Sequence, residues 1–387
     1  HRRLDGRLHL NENGGKLMAA GFFSPETGAF QGDVLVRKFR IDPQWLPGEA
    51  AALNGLVNGS LLIEGNLRER ETITGDGWFE VHDLTYHGQE LGILKLRGIG
   101  RNGQFWLADS FLLTKAGRLT LGGKLDLRRS PAYELEIDGE QILLADLWRF
   151  IPNRPVLDPD GLAGIKLAVS GWEKPKLQGE ITLTGLALNG QYLGQGKTGI
   201  SWEGDLIQLH GLSLAAGRGM LRADGRLRLD GAIDLRVETE NFALQLLEPV
   251  IGQYFDDRGL LGKIAGSLKM NGRLSGTLQG PEFSGEIDLR QAQVAGFNLD
   301  QVTGELCWSN RTLALDRMAV RRAGEEVTAF GKIDFRAAKP TLDLGFKMEE
   351  ASLANLLMLT GRFPQARIDG KLNGYLRLLG QLEQPLI

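Results

Sequence analysis

Apolar and charged residues alternate along much of this chain. The apolar residues Ile233, Leu235 and Val237 are separated by Asp234 and Arg236, and the same period of two runs through 123–127, 165–169 and 225–229. Successive side chains of a β-strand point to opposite faces of a sheet, so each such segment has one apolar and one charged face. One wet face is typical of antiparallel sheets. The pattern therefore predicts an all-β fold built on an antiparallel sheet.

Short glycine-containing segments predict the turns between these runs. Asn102-Gly103, Asn189-Gly190 and Glu203-Gly204-Asp205 have the residues that two-residue and slightly longer hairpin turns prefer. With strands of five or six residues, a stretch of about 105 residues holds roughly eight or nine strands, and the chain on the order of 30. A sheet of that many twisted strands is expected to coil into an elongated, open half-pipe.

One five-residue phrase occurs three times, at Gly123–Leu127, Gly225–Leu229 and Gly331–Phe335. The leading glycines lie 102 and 106 positions apart (225 − 123 and 331 − 225). We expect each of these glycines to mark the beginning of a strand. A recurring phrase at near-constant spacing is the signature of a repeat protein, in which function resides in a continuous surface.

A second set of glycines sets the proposed repeat boundaries. Gly55, Gly164, Gly266 and Gly370 lie 109, 102 and 104 positions apart. They divide the chain into a partial β-repeat (1–54), three β-repeats (55–163, 164–265 and 266–369) and the start of a further repeat (370–387). Apolar stretches at 141–151, 242–251 and 352–359 predict one short helix per repeat. Both ends of the chain resemble cuts through a longer array.

Composition narrows the function classes. The net charge of −3 gives no basic excess of the kind that nucleic-acid binding needs. The single cysteine, Cys307, excludes an intrachain disulfide. No run of 18 apolar residues is present, so we expect any membrane anchor to lie outside these residues.

Two glycine-rich segments resemble phosphate loops, but their surroundings do not fit. Gly98–Gly103 matches G-x-G-x-x-G, although the following segment, 104–113, has a strand pattern where a dinucleotide site needs a helix. Gly196-Lys197-Thr198 resembles the end of a P-loop, but the strand-like segment 200–202 follows it. We therefore expect no nucleotide cofactor.

Catalytic and metal-binding groups are similarly sparse. His82 and His87 are close in sequence but on opposite strand faces, and Glu134, Glu136 and Asp138 fit a solvated face. Cys307 alternates with Leu306 and Trp308 and is therefore expected on the polar face. No nearby histidine supports a role as a nucleophile. The sequence thus favours a protein that is not an enzyme and has no metal.

The apolar face poses the central question, because one short helix per repeat cannot cover eight or nine strands. Either the sheet buries this face on itself, or the face is lined for an apolar ligand. The lining is mostly Leu, Ile and Val, whereas a dense core mixes large and small residues. The expected lining residues are Leu8, Leu10, Leu61, Ile63, Leu125, Leu127, Leu135, Ile137, Ile165, Leu167, Val169, Ile181, Leu183, Leu227, Leu229, Ile233, Leu235, Val237, Leu268, Met270, Ile287, Leu289, Leu306, Trp308, Leu313, Leu315, Ile333, Phe335, Leu342, Leu344, Phe346, Leu376 and Leu378.

One longer element carries a family resemblance. The segment Leu278–Leu289 is similar to the recurring G-x-P-x-x-x-G-x-I-x-L element of AsmA-like proteins of the TamB type. The element recurs at 171–183 around Pro175 and begins again at 380–385. The stretch around Trp78 lacks it. The resemblance implies a repeating β-groove, also called a β-taco, that bridges two bacterial membranes.

The resemblance further implies a place and partners. Such proteins are inner-membrane halves of translocation and assembly modules, are anchored in the inner membrane and extend through the periplasm. They imply a lipid cargo, phospholipid or another acyl-chain lipid, and an outer-membrane β-barrel protein at one end.

Three functions remain open at this point. The first is a lipid conduit between the inner and outer membranes, with acyl chains on the apolar face. The second is a periplasmic scaffold for assembling outer-membrane proteins, in which exposed strand edges template client strands. The third is a structural spacer with a self-packed β core.

Overall fold

The computed structural model describes residues 2–12, 14–41, 52–128, 132–149, 157–171, 175–247, 264–294, 297–322, 324–336, 339–352, 370–381 and 384–386. Strands account for 81% of the structure and helices for 4%, so the sheet determines the fold. The strands pair antiparallel, and the sheet is not closed. The all-β, antiparallel prediction is therefore confirmed.

The chain divides into two compact units. The first contains His1–Leu147, Leu162–Thr182 and Ile200–Gly204, and the second contains Trp148–Gly161, Leu183–Gly199 and Asp205–Ile387. The strands that begin in the first part of the chain are β1 (Leu4–Glu12), β2 (Gly15–Phe23), β3 (Ala29–Arg40), β4 (Leu53–Asn66), β5 (Thr74–Tyr86), β6 (Gln89–Arg101), β7 (Gln104–Leu113), β8 (Arg118–Asp126), β9 (Ala132–Leu143) and β10 (Pro159–Gly171).

The remaining strands continue the same up-and-down order. They are β11 (Lys176–Leu188), β12 (Gln191–Glu203), β13 (Leu206–Ala216), β14 (Gly219–Arg228), β15 (Ala232–Ala243), β16 (Ile264–Thr277), β17 (Pro281–Val294), β18 (Phe297–Ser309), β19 (Thr312–Arg322), β20 (Glu325–Asp334), β21 (Thr341–Ser352), β22 (Lys371–Gln381) and β23 (Gln384–Leu386). Strands β10, β11 and β12 contribute residues to both units. Sequential neighbours pair from β1 to β10 and again from β13 to β23.

The described strands are longer than the sequence pattern predicts. Apart from β23 they contain 9 to 14 residues, so the expectation of five or six was wrong. The cause is glycine inside strands. Gly123, Gly225 and Gly331 lie within β8, β14 and β20 and do not begin them. A glycine has no side chain to pack and reads as a break in sequence, but the backbone ladder continues through it.

The three glycines share one geometry. Their φ angles are 135°, 144° and 130°, in the region that favours glycine. At each one a Cβ atom would collide with a carbonyl oxygen of the next strand, belonging to Glu134, Asp234 or Asp343. No other residue fits this combination of conformation and close approach.

The predicted turns are confirmed. Asn102-Gly103 joins β6 to β7, and Asn189-Gly190 joins β11 to β12, with positive φ at all four residues as a type I′ turn requires. Residues 203–205 join β12 to β13. Gly98–Gly103 therefore belongs to a hairpin, and the segment that follows is a strand.

Within the described residues, helical structure is shorter than predicted. The first expected helix, 141–151, is described to residue 149 and is a strand up to Leu143 and then α1 (Leu144–Trp148). The second, 242–251, is described to residue 247 and contains a 3₁₀ turn at Leu244–Leu247. The third, 352–359, begins with Ser352 in β21 and otherwise lies outside the described residues. A further 3₁₀ turn occupies Arg70–Thr72. Segments this short cap the ends of strands and cannot form a second layer.

Candidate functional site

Cross-strand register defines one apolar face in the first unit. Leu61 lies opposite Val34 on one side and Gly77 on the other, and Ile137 lies opposite Leu167. Directly opposed residues of an antiparallel pair project to the same side. Followed from β1 to β10, this register places ten expected lining residues on one face: Leu8, Leu10, Leu61, Ile63, Leu125, Leu135, Ile137, Ile165, Leu167 and Val169.

The second unit has the same arrangement. One cross-strand row runs through seven consecutive strands from β15 to β21, and its members are Leu235, Leu274, Phe283, Trp308, Leu313, Ile333 and Leu342. The register brings 18 expected lining residues to this face: Leu227, Ile233, Leu235, Val237, Leu268, Met270, Ile287, Leu289, Leu306, Trp308, Leu313, Leu315, Ile333, Leu342, Leu344, Phe346, Leu376 and Leu378.

Three expected lining residues lie just past the ends of strands, and two others lie in β11. Leu127, Leu229 and Phe335 follow the last residues of β8, β14 and β20. Each donates its backbone N–H to the preceding hairpin turn, over 2.9, 3.0 and 2.8 Å respectively. Ile181 and Leu183 lie in β11, where half-buried residues alternate with exposed ones. The first three therefore belong to the rim where the strands end.

Sequence reasoning missed several members of the face. Leu274 lies opposite both Leu235 and Phe283, and Leu107 lies opposite Gly98 and Gly123. Both residues occupy apolar positions in the alternation of the sequence, but intervening glycines divided the alternating runs. Reading the period of two across glycine would have found them.

The centre of the apolar face is only partly shielded. Leu235, Ile137 and Leu344 are half-buried, whereas their sequence neighbours on the opposite face are mostly exposed. Leu8 and Leu10 of β1 keep 48% and 40% of their surface exposed. Residues inside a closed protein core are packed at crystal-like density and lose nearly all their contact with water. The central rows of this face do not have that character.

Burial is instead concentrated where strands carry bulges. At seven positions a residue with positive φ precedes a deeply buried one, and the pairs are Lys38-Phe39, Asp83-Leu84, Asp109-Ser110, Gln141-Ile142, Asn241-Phe242, Gln291-Ala292 and Arg317-Met318. Phe242 and Ile142 are each 1% exposed. A bulge adds one residue to a strand and bends it. These residues form a narrow core along the bulged rim, which consists of the strand ends opposite to those at Leu127, Leu229 and Phe335.

The 3₁₀ turn at 244–247 covers part of this rim. Leu244 and Leu247 pack against the buried cluster of Leu268, Leu289 and Ala292. The Oγ1 atom of Thr239 donates to the carbonyl oxygen of Leu268 over 3.2 Å, so its buried hydroxyl is paired.

The opposite face of the sheet is charged and carries several ion pairs. Arg273 contacts Asp234 over 2.6 Å, and Arg377 contacts Asp343 over 2.9 Å. In each pair the guanidinium uses two nitrogens, and its hydrogen bonds lower the pKa of the carboxyl group. These side chains are solvated, so each pair contributes little to stability.

The strand ends after the repeated phrase carry a matched motif. Asp126 is gripped by Arg128, and Asp334 is gripped by Arg336, in each case through Nε and Nη2. These bonds hold the pKa of Asp126 well below its usual range and lower that of Asp334 to about 2. The motif marks the corresponding strand ends within each unit.

Two depressions in the second unit are lined mostly by residues of the charged face. One of about 540 Å³ is lined by side chains that include Asn271, Glu286, Glu305, Cys307 and Asp316. Cys307 is exposed and lies between Ser284 and Ala314, as its sequence parity predicts. Glu286 and Glu305 oppose each other directly, which is unfavourable for like charges.

Within the described ranges, no group of three or more His, Cys, Asp or Glu residues is arranged to hold a metal ion. His82 contacts Glu80 over 3.2 Å. None of the helices in this part of the chain is long and apolar enough to cross a membrane.

No protein-family model, curated protein or solved structure matches this chain.

Proposed function

We propose that this chain is a non-enzymatic, lipid-binding conduit whose apolar sheet face holds the acyl chains of a phospholipid or a related lipid. The observation that carries the proposal is the cross-strand register. It aligns aliphatic side chains into continuous rows within each unit while leaving the central rows half-exposed. A soluble protein rarely leaves such a surface without a use.

The energetics favour an acyl ligand. Burying one CH₂ group is worth about 0.8 kcal/mol, so a 16-carbon chain gains on the order of 10 kcal/mol if it is fully covered. Rows of similar Leu, Ile and Val side chains offer many sites of nearly equal affinity. Near-equal sites allow a chain to move from one row to the next without a deep trap.

The larger setting is part of the same proposal. The sequence element at 278–289 resembles AsmA-like, TamB-type proteins, and glycines of identical geometry recur at positions 123, 225 and 331. We place the chain in a repeating β-groove of about 105-residue units in the periplasm. In this proposal an inner-membrane anchor lies outside these residues and an outer-membrane β-barrel protein lies at one end.

The test is lipid transfer between donor and acceptor vesicles. Leu235→Asp puts a charge on the apolar face, where an unpaired carboxylate costs several kcal/mol, so transfer should fall more than about tenfold. Arg236→Asp is the matched control, since the adjacent residue lies on the charged face with 68% of its side chain exposed. Circular dichroism checks that both variants fold. Normal transfer by Leu235→Asp, Leu344→Asp and Ile137→Asp alike would refute the conduit.

A scaffold for client strands is the second candidate. All nine residues of β1 are exposed, and among the described strands β1 pairs with β2 alone. An open edge of this kind can accept another strand. Mass spectrometry of the purified protein separates the candidates, because co-purified lipid favours the conduit and a trapped peptide favours the scaffold. A protein free of both would favour the structural spacer.

A further inference from the structure

Three aromatic rings meet at one end of the apolar face in the second unit. Phe283 of β17 lies directly opposite Trp308 of β18, and the ring centroids of Trp308 and Phe335 are 5.8 Å apart. Phe335 is 5% exposed, whereas Phe283 and Trp308 are half-buried. Phe335 therefore supports the indole, and the other two rings present surface to a ligand.

Two glycines, Gly272 and Gly285, allow the ring of Phe283 to lie close to the backbone. A Cβ atom at Gly272 or Gly285 would meet the ring of Phe283 at about 2.5 and 3.0 Å. The ring therefore lies down over the backbone of these glycines. A ring lying flat gives a broad apolar surface, and large aromatic side chains bury more area against a partner than aliphatic ones.

Positive charge surrounds this end of the face. The backbone N–H of Phe335 donates to the carbonyl oxygen of Arg311 over 2.8 Å, which ties two adjacent hairpin turns together. These turns expose Arg311, Arg336 and Lys339, against the single carboxylate of Asp334. Glu282, exposed beside Phe283, adds a second carboxylate at this end. The local balance is three cations to two anions, and this excess of positive charge is complementary to an anionic head group.

We propose that Phe283, Trp308 and Phe335 form a resting site for an anionic phospholipid, with its acyl chain on the rings and its phosphate near Arg336 and Lys339. This inference rests on the proposed function and deepens it, because it names the position on the apolar face where a lipid is held longest. Elsewhere in the row the contacts are aliphatic, as at Leu235 and Leu274.

The probe is phosphatidylglycerol with brominated acyl chains, because bromine quenches tryptophan fluorescence on contact. Trp308 lies on the apolar face, whereas Trp106 pairs with Ile99 and Lys124 on the charged face. Trp308→Phe keeps a ring in place and should lose most of the lipid-dependent quenching. Trp106→Phe is the matched control and should retain that quenching.

A second binding experiment tests the contact with the head group. The double variant Arg336→Gln/Lys339→Gln should raise the half-saturating concentration of brominated phosphatidylglycerol roughly three- to tenfold, as expected for lost charge-assisted bonds. Binding of brominated diacylglycerol, which has no phosphate, should be unchanged. Arg128→Gln removes the equivalent arginine in the first unit, where Leu127 stands at the position that corresponds to Phe335. This variant should change the concentration less than about twofold.

The outcomes separate the two proposals. Equal quenching of the wild-type protein and Trp308→Phe, with lipid bound to both, would overturn the resting site and leave the conduit standing. Phosphatidylglycerol and diacylglycerol responding alike to the double variant would overturn the head-group contact. No lipid bound to any of the proteins would overturn the proposed function itself.

Discussion

Gly225 of β14 lies directly opposite Leu235 of β15, and a Cβ atom at Gly225 would collide with the carbonyl oxygen of Asp234. The two strands therefore approach each other in a way that only glycine permits. Gly123 and Gly331 stand in the same relationship to Leu135 and Leu344. The repeated phrase of the sequence encodes this local geometry.

Gly225→Ala should destabilise the second unit by about 1–3 kcal/mol, since the substitution adds both a clash and a strained φ of 144°. Urea unfolding followed by circular dichroism measures the change. Gly98→Ala is the control, because no atom lies within 4 Å of its Cβ position and its φ is not positive. An equal loss for both variants would contradict the special role of Gly225.

Asn241 has a φ of 48° at the bulge that precedes buried Phe242. Asn241→Val should cost about 1–2 kcal/mol, because a β-branched residue disfavours the left-handed conformation. Asn241→Gly should stay within about 1 kcal/mol of the wild type, because glycine adopts that conformation freely. Urea midpoints compare the two, and a valine variant as stable as the glycine variant would refute the bulge geometry.

Phe242→Ala should cost about 3–5 kcal/mol, since Phe242 is 1% exposed and its removal leaves a cavity in the rim core. Leu229→Ala should cost less than about 1 kcal/mol, because Leu229 is 39% exposed after the end of β14. Thermal and urea unfolding report both values. The reverse order would mean that the core does not lie along the bulged rim.

Asp334 should titrate at about pH 2, because its hydrogen bonds from Arg336 favour the charged carboxylate. The folded-state pKa is lower than the unfolded one, so the contribution to stability is present above pH 3.8 and is lost as the pH falls through about 2. The group is solvated, so this contribution is small. Carboxylate NMR measures the titration.

In the Arg336→Gln variant the pKa of Asp334 should rise toward 3.8, while the lowered pKa of Asp343 should persist because Arg377 causes it. An unchanged titration of Asp334 in that variant would show that Arg336 is not the cause.

The face of the sheet on which a side chain lies was easier to predict than the length of its strand. The parity of Ile233, Leu235 and Val237 is fixed by a period of two, and the register keeps these residues on one side. Strand ends were misplaced because glycines such as Gly123 resemble turns in sequence. Whether a glycine breaks a strand depends on a neighbouring strand that the local sequence does not contain.

The bulges were also invisible in sequence. Gln291 and Arg317 are ordinary polar residues with no preference for a positive φ, yet both adopt one. Their conformation follows from pairing, because the partner strand opposes two residues with one. The cluster of Phe283, Trp308 and Phe335 was missed for a related reason. Phe335 follows the end of β20, and its contact with the Trp308 ring forms only when separate strands pair.

The sequence by itself determined that this protein is built of antiparallel strands with one apolar and one charged face, because alternation of side chains is a local property of an extended backbone. The tertiary structure decided which apolar residues meet in rows, where the strands end and which end is buried. Those features depend on register, bulges and the close approach of backbones. They arise only when separate strands are paired, and the candidate lipid site consists of such pairings.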